Sequence, residues 1–188
     1  MKTAIRTLAG SLFALTVLVG CGAPNNNNLA ISGNCLQGTW SASTANLTSY
    51  MQNVITVMQP NVTAGTFSLA FNNGSFSQKV DNMTIKSTIS DQILEVSTSG
   101  ETNGTYEEKT PGTINFHSNG TGTTKVNSMT LNGQPMNAGA APIDFKGIFA
   151  GEQTNVSYQC SANNLALTFT LPASAVAPEH QAVMMLSR

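Results

Sequence analysis

The chain has few charged residues and few of the side chains on which catalysis depends. Charged residues make up 9% of its 188 positions, compared with about 25% in typical soluble domains, and only two histidines occur, His117 and His180. There is no nucleophile-elbow motif, no zinc-binding His-Glu-x-x-His, no phosphate-binding glycine loop, and no cluster of lysines and arginines of the kind that binds nucleic acid. The sequence therefore predicts a non-enzymatic protein with no catalytic residues, no metal or cofactor, and no nucleic-acid partner.

The remaining candidates for chemistry have simpler interpretations. Glu179 precedes His180, but two ligands do not complete a metal site, which needs three or four. Glu107 and Glu108 are adjacent on an expected strand, and adjacent strand residues point to opposite faces, so the two carboxylates do not form a catalytic pair. The eight methionines have the thioether chemistry of soft-metal ligands, but methionine more often fills irregular space in a core.

The first 20 residues have the pattern of a secretory signal peptide. Lys2 and Arg6 give a basic start, and an uncharged apolar run extends from Leu8 to Val19. This run is shorter than the roughly 20 residues of a transmembrane helix. The segment therefore predicts export rather than a membrane-spanning helix.

The end of this segment, Leu-Val-Gly-Cys at positions 18–21, resembles the lipobox of bacterial lipoproteins. The resemblance implies cleavage before Cys21, diacylation of its sulfur, and a protein that is bound to a membrane of the bacterial cell envelope through that lipid. The alternative is an ordinary signal peptide that has a cysteine near its end by chance. Gly22 stands where an aspartate would favour retention in the inner membrane. We therefore expect the outer membrane if the host is Gram-negative.

Residues 21–34 form the lipidated cysteine and a tether. Pro24 and the run Asn25–Asn28 offer no apolar surface to bury, which predicts a flexible segment rather than an ordered loop. Residues 35–188 are enough for one domain with a sizeable core. Of the three cysteines, Cys35 and Cys160 remain after lipidation, and an exported protein favours a disulfide between them over two buried thiols.

Alternating apolar residues predict an all-β domain of about eight to ten antiparallel strands, with one apolar face and one rich in Ser and Thr. Closure into a barrel, or packing as a sandwich, would protect the strand edges, and the expected disulfide favours closure because it joins an early strand to a late one.

Thr44–Met58 departs from this alternating pattern. Its apolar spacing predicts an amphipathic helix, capped by Ser43 or Thr44; the alternative is a strand at 53–58. The Gly- and Pro-containing segment 134–142 predicts a surface loop.

The domain begins with Cys-Leu-Gln-Gly-Thr-Trp at positions 35–40, and Gly-x-Trp on a first strand resembles the entry motif of lipocalins and other calycins. Tyr-Gln-Cys at 158–160 and the last strand ending at Arg188 are similar to small lipocalin-like bacterial lipoproteins. The resemblance implies an antiparallel barrel over 35–188 with a short helix after the first strand. It also implies that Arg188 packs over Trp40 and closes the barrel.

Two functions are compatible with a lipocalin-like barrel on a membrane. In the first, the interior binds a small hydrophobic ligand. In the second, side chains fill the interior, no ligand binds, and the outer surface meets a protein partner that the sequence does not identify. A third alternative is an enzyme that assembles distant residues such as Glu95, His117 and Tyr158. The side chains expected to line a ligand are Phe67, Leu69, Phe71, Ile85, Leu167 and Phe169.

Overall fold

The computed structural model describes residues 35–55, 58–119, 123–137, 152–173 and 178–188. The expected signal peptide, Cys21, the tether and most of the predicted 134–142 loop lie outside these residues. The described residues form ten strands and one helix, α1 at Thr44–Val54. The strands are β1 Gly38–Ala42, β2 Asn61–Asn72, β3 Ser75–Ile89, β4 Gln92–Thr110, β5 Thr113–Ser118, β6 Thr123–Leu131, β7 Gln134–Pro135, β8 Gln153–Cys160, β9 Asn164–Leu171 and β10 His180–Ser187.

Eight of these strands close into an antiparallel barrel. Their order is β3-β2-β1-β10-β9-β8-β5-β4, and β4 pairs again with β3 to complete the ring. Alternate apolar residues of each strand face the interior. On β9, for example, Leu165, Leu167 and Phe169 are buried, and the residues between them are less buried. The predicted all-β barrel is therefore confirmed.

Two tight turns of the structure have the sequence Asn-Gly. Asn73 and Gly74 connect β2 to β3 with φ of 45° and 82°, and Asn132 and Gly133 connect β6 to β7 with φ of 50° and 79°. Asparagine and glycine tolerate positive φ better than other residues, and two such residues in succession match the right-handed twist of a hairpin.

The helix is shorter than the sequence predicts. It begins as expected, with Ser43 as N-cap accepting a hydrogen bond from the Asn46 backbone N–H at 3.2 Å. It ends at Val54 rather than Met58, because Ile55 leaves helical geometry at φ −114° and ψ 76° in a β-branched stretch that favours extended backbone. The alternative strand at 53–58 is also wrong at its start, since Asn53 and Val54 are helical.

The long strands β3 and β4 extend beyond the barrel and form a second region. The first half of β4 pairs with β6, as far as Glu101, whereas its second half pairs with β5, from Gly104 onward. We call the outer part the wing; it consists of residues 87–89, which lie beyond the pairing of β3 with β2, residues 92–101, β6 and β7. Gly65 of β2, with φ of 95°, lies where the register between β2 and β3 shifts. A Cβ added there would overlap the backbone of Met83.

Candidate functional site

The six side chains expected to line a ligand all lie inside the barrel and are almost completely buried. Their exposed fractions are 0–4%, and they belong to one continuous core. Exposed surface includes any internal void that admits a water molecule, so an empty ligand-sized cavity beside these residues would expose them. In this conformation they are packed core, and a ligand at this position would have to displace their neighbours. Their role as ligand-lining residues stays a prediction. They are Phe67, Leu69, Phe71, Ile85, Leu167 and Phe169.

Aromatic rings fill the lower part of this interior, near the end where β1 begins and β10 ends, which we call the base. The ring centroids of Phe71 and Tyr106 are 5.1 Å apart at 89°, and those of Phe76 and Phe116 are 5.2 Å apart at 88°. These edge-to-face arrangements are favourable for aromatic pairs. Because the rings interlock across the barrel, they leave the base without the open funnel that a ligand would enter.

Trp40 and Arg188 close the base. The Trp40 ring is completely buried, and its Nε1 donates to the carbonyl of Leu36 at 2.8 Å. The guanidinium carbon of Arg188 lies 4.3 Å from the centre of that ring, a cation–π geometry. Arg188 Nη2 also donates to the carbonyls of Cys35 and Gln37, at 3.1 and 2.5 Å. The last residue of the chain thus holds the entrance to β1.

A disulfide joins Cys35 to Cys160, with the two Cα atoms 6.0 Å apart and 125 positions between them in the sequence. Cys160 is the last residue of β8. The bond therefore attaches the start of the described chain to the opposite part of the barrel wall, at the same end as Trp40.

A hydrogen-bonded network covers the remaining polar groups of the base. Gln37 donates to the Tyr106 hydroxyl at 2.7 Å, and its amide oxygen accepts from the Asn73 backbone N–H at 3.0 Å. The Tyr158 hydroxyl donates to Glu108 at 2.5 Å. Burial, assisted by the hydrogen bond to Glu108, raises the pKa of Tyr158 to about 12. Tyr158 is therefore a structural donor at neutral pH rather than a base.

The residues considered for an enzyme are not brought together. Glu95 lies in the wing and pairs with Lys86 at 2.9 Å, and Tyr158 lies inside the barrel. His117 is on β5, 3.4 Å from Glu107. Bonds from Lys109, Asn115 and His117 lower the pKa of Glu107, which keeps it ionised.

Glu107 and Glu108 bond different partners, consistent with their expected opposite orientation. Within the described ranges, no three His, Cys, Asp or Glu side chains are grouped as a metal site, and no helix is long and apolar enough to cross a membrane.

At the other end, α1 covers the barrel. Leu47, Tyr50 and Met51 are buried, and the rings of Tyr50 and Phe169 are 5.6 Å apart. A small cavity of about 10 Å³ lies where α1, the barrel and the wing meet, which is barely enough for one water molecule. We call this place the seam. Its lining is almost entirely apolar: Met51, Ile55, Met58, Pro60, Ile85, Ser87, Leu94 and Val96.

The outer surface divides into a charged part and an uncharged part, a division that the sequence alone does not predict. Six consecutive strands of the barrel, β5, β8, β9, β10, β1 and β2, contain no Asp, Glu, Lys or Arg. The charged residues found in strands all lie on β3, β4 and β6. The low charge of the chain was the available signal, but the asymmetry emerges only once the strand order is known.

Comparison with protein-family models, curated protein sequences and solved structures finds no match for this chain.

Proposed function

We propose that this chain is a lipid-anchored protein of the bacterial cell envelope that works through its outer surface, as a structural or protein-interaction module with a filled barrel. The observation that carries this proposal is the burial of the expected ligand-lining side chains, none of which is more than 4% exposed. A barrel interior without free volume gives a small molecule nowhere to bind, which leaves the outside of the protein as its working surface.

The anchoring part of the proposal rests on the sequence. The basic start, the apolar run and Leu-Val-Gly-Cys at 18–21 have the order of a lipoprotein signal. The contact of Arg188 with Trp40, next to Gly38, supports the resemblance to lipocalin-like lipoproteins. A lipid on Cys21 would place the base, where the described chain starts at Cys35, at the end of the tether.

Carriage of a small hydrophobic ligand is the second candidate, and the seam is the observation that favours it. The cavity there is apolar and is bordered by Met51 and Met58, whose flexible side chains adapt to different shapes. A volume of about 10 Å³ does not hold an acyl chain. Ligand binding would therefore require α1 and the wing to move apart.

Lipidation and ligand content are tested together on the full chain expressed in a bacterial host. Cells are fed an alkyne fatty acid, and the protein is purified in detergent and weighed by native mass spectrometry. We expect label on the wild type and none on Cys21→Ser, and a mass that contains the lipid of Cys21 and no further ligand. An additional lipid that stays bound to the wild type would overturn the filled-barrel proposal in favour of carriage.

A further inference from the structure

Methionines are distributed unequally between the cores of the wing and the barrel. The core of the wing, which we call the wing cluster, consists of three buried side chains, Leu94, Val96 and Met129, and of four half-buried ones packed against them, Met58, Val126, Leu131 and Met136. Three of these seven are methionines. The barrel core also contains three methionines, but among 24 buried side chains. Thioether side chains therefore contribute a much larger share of the packing in the wing than in the barrel.

Two of the three methionines in the wing cluster are accessible from solvent. Met58, which precedes β2, and Met136, which follows β7, are half-buried, whereas Met129 is only 3% exposed. The Met136 backbone N–H donates to the Met129 carbonyl at 2.8 Å, so these two residues are neighbours at the edge of the wing. Met58 also borders the cavity of the seam. A small solute can therefore reach Met58 and Met136 while the wing is closed, but not Met129.

The wing cluster has few hydrogen-bond donors for a new polar atom. Among the side chains that line the seam, only Ser87 can donate a hydrogen bond. The buried hydroxyl of Thr98 on β4 already donates to the Lys125 carbonyl at 3.1 Å, and every member of the wing cluster is apolar. A buried polar atom without a hydrogen bond is unfavourable. Two oxygen atoms added to this cluster would therefore not both find a donor while the wing stays closed.

We propose that Met58 and Met136 are oxidation sites, and that their conversion to methionine sulfoxide by a peroxide opens the wing while the barrel stays folded. The thioether sulfur attacks one oxygen of the peroxide and the O–O bond breaks. The transferred hydroxyl gives its proton to the departing hydroxide, which leaves as water, so that the sulfur is oxidised by two electrons and the peroxide is reduced. Methionine sulfoxide reductases reverse this modification. No thiol competes for the peroxide, because the disulfide holds two of the three cysteines and the proposed lipid holds the third.

The sulfoxide weakens the wing in either orientation of the oxidised side chain. An oxygen that turns inward lies among Leu94, Val96 and Met129, where it lacks a donor. An oxygen that turns toward water draws its side chain away from these residues. In both cases packing is lost from a core of three buried side chains, whereas the barrel has 24 buried side chains and a disulfide. The same modification therefore affects the wing more than the barrel.

The order in which the methionines are oxidised tests this opening. The full-length protein in detergent is titrated with hydrogen peroxide, and peptide mass spectrometry measures the sulfoxide at each methionine. Exposure in the closed structure predicts that Met83 of the barrel core, at 5%, reacts before Met129, at 3%. Opening of the wing reverses this order, so we expect Met129 to react at least tenfold faster than Met83 once Met58 and Met136 are oxidised. If Met129 stays reduced for as long as Met83, the inference is wrong.

Amide hydrogen exchange measures the opening itself. After oxidation of Met58 and Met136 we expect at least tenfold faster exchange in residues 92–101 and in β6, with exchange in β9 and β10 unchanged. Treatment with the two methionine sulfoxide reductases, one for each sulfoxide epimer, should restore the slow exchange. Unchanged exchange in the wing, or an equal acceleration in β9, would overturn the inference.

Leucine variants assign the effect to the two proposed sites. Met58→Leu with Met136→Leu keeps the apolar volume of the wing cluster and removes both sulfur atoms. Met185→Leu is the matched control, because it removes a methionine of the barrel that is 41% exposed. Each protein is compared with and without peroxide, so that any effect of the substitution on stability cancels. We expect the double variant alone to keep Met129 reduced and the wing closed. Opening of its wing by peroxide to the same extent as in the wild type would contradict the inference.

Discussion

The barrel and the wing share β3 and β4, yet their cores differ greatly in size. In the described residues the barrel core contains 24 buried side chains, whereas the wing cluster contains three, Leu94, Val96 and Met129. The barrel is also closed by β3–β4 pairing and by a disulfide, while the wing ends in β7, a strand of 2 residues. Both regions are held by strand pairing, and they differ in how many side chains they bury and in whether the sheet closes. We expect the wing to open locally at a lower free energy than the barrel.

The largest effect is expected at the disulfide, which only the barrel possesses. Cys35→Ser with Cys160→Ser frees a loop with a sequence separation of 125, which corresponds to a loss of at most about 4–5 kcal/mol in the chain-entropy treatment. Denaturant unfolding of the lipidated protein measures this loss. Amide exchange in the wing should hardly change, because the bond lies at the base.

Wild-type protein unfolded in the presence of a reductant serves as the control, because the reductant breaks the same bond without a change of sequence. It should lose about as much stability as the double variant. A double variant at Cys35 and Cys160 with wild-type stability would show that the hydrogen bonds and the cation–π contact of Arg188 suffice to hold the base.

A pair of alanine substitutions compares the two cores directly. Trp40→Ala removes a side chain that is 0% exposed, and we expect a loss of about 3–5 kcal/mol in the free energy of global unfolding. Met129→Ala truncates a side chain that is 3% exposed, but in the wing. We expect less than about 1 kcal/mol in global unfolding and faster amide exchange confined to β4 and β6. Equal losses would show that barrel and wing unfold as one unit.

Gly104 lies at the boundary of the two regions, where β4 changes its partner from β6 to β5. An added Cβ would overlap the carbonyl of His117 and lie within 2.8 Å of the Phe76 ring. Gly104→Ala should therefore destabilise the protein by about 1–3 kcal/mol, as overpacked cores do. Thr105→Ala, next to it and exposed, should change unfolding by less than about 0.5 kcal/mol. Similar values for both would mean that the His117 backbone and the Phe76 ring both move aside without strain.

Alternation predicts the barrel because a strand with one buried face has a period of two residues. It does not predict the wing, because the period breaks between Val80 and Met83, where a bulge and a positive φ of 47° at Asn82 change the face. Nor does it separate a filled barrel from a hollow one, since Phe67 and Leu69 alternate in the same way in both. The interior volume of the barrel depends on the distance between opposite strands, and no local sequence pattern predicts that distance. The helix start was predictable from Ser43, while its end was decided by β-branched residues beyond Val54.

The smallest effect on stability is expected at His180, which links α1 to β10 near the seam. His180 Nδ1 is 2.9 Å from the carbonyl of Pro178, and Nε2 is 2.7 Å from that of Asn53. Both acceptors are carbonyl oxygens, so both bonds form only when both ring nitrogens carry a proton. These bonds, first to Pro178 and then to Asn53, raise the pKa of His180 above its ordinary value.

The sign of the pH dependence is set by that raised pKa. The contribution of His180 to stability is fully present below the unfolded-state pKa of about 6.5. It is lost as pH rises through the higher pKa of the folded protein, because the neutral ring can donate only one bond. We expect the protection factors of amides at the end of α1, which correct for the intrinsic rise of exchange with pH, to fall as pH rises above about 6.5, while the base of the barrel keeps its protection. His180→Gln should remove this dependence and His117→Gln should retain it. If the His180→Gln protein shows the same pH response as wild type, the two carbonyls do not hold the imidazolium, and α1 is attached to β10 by its buried face alone.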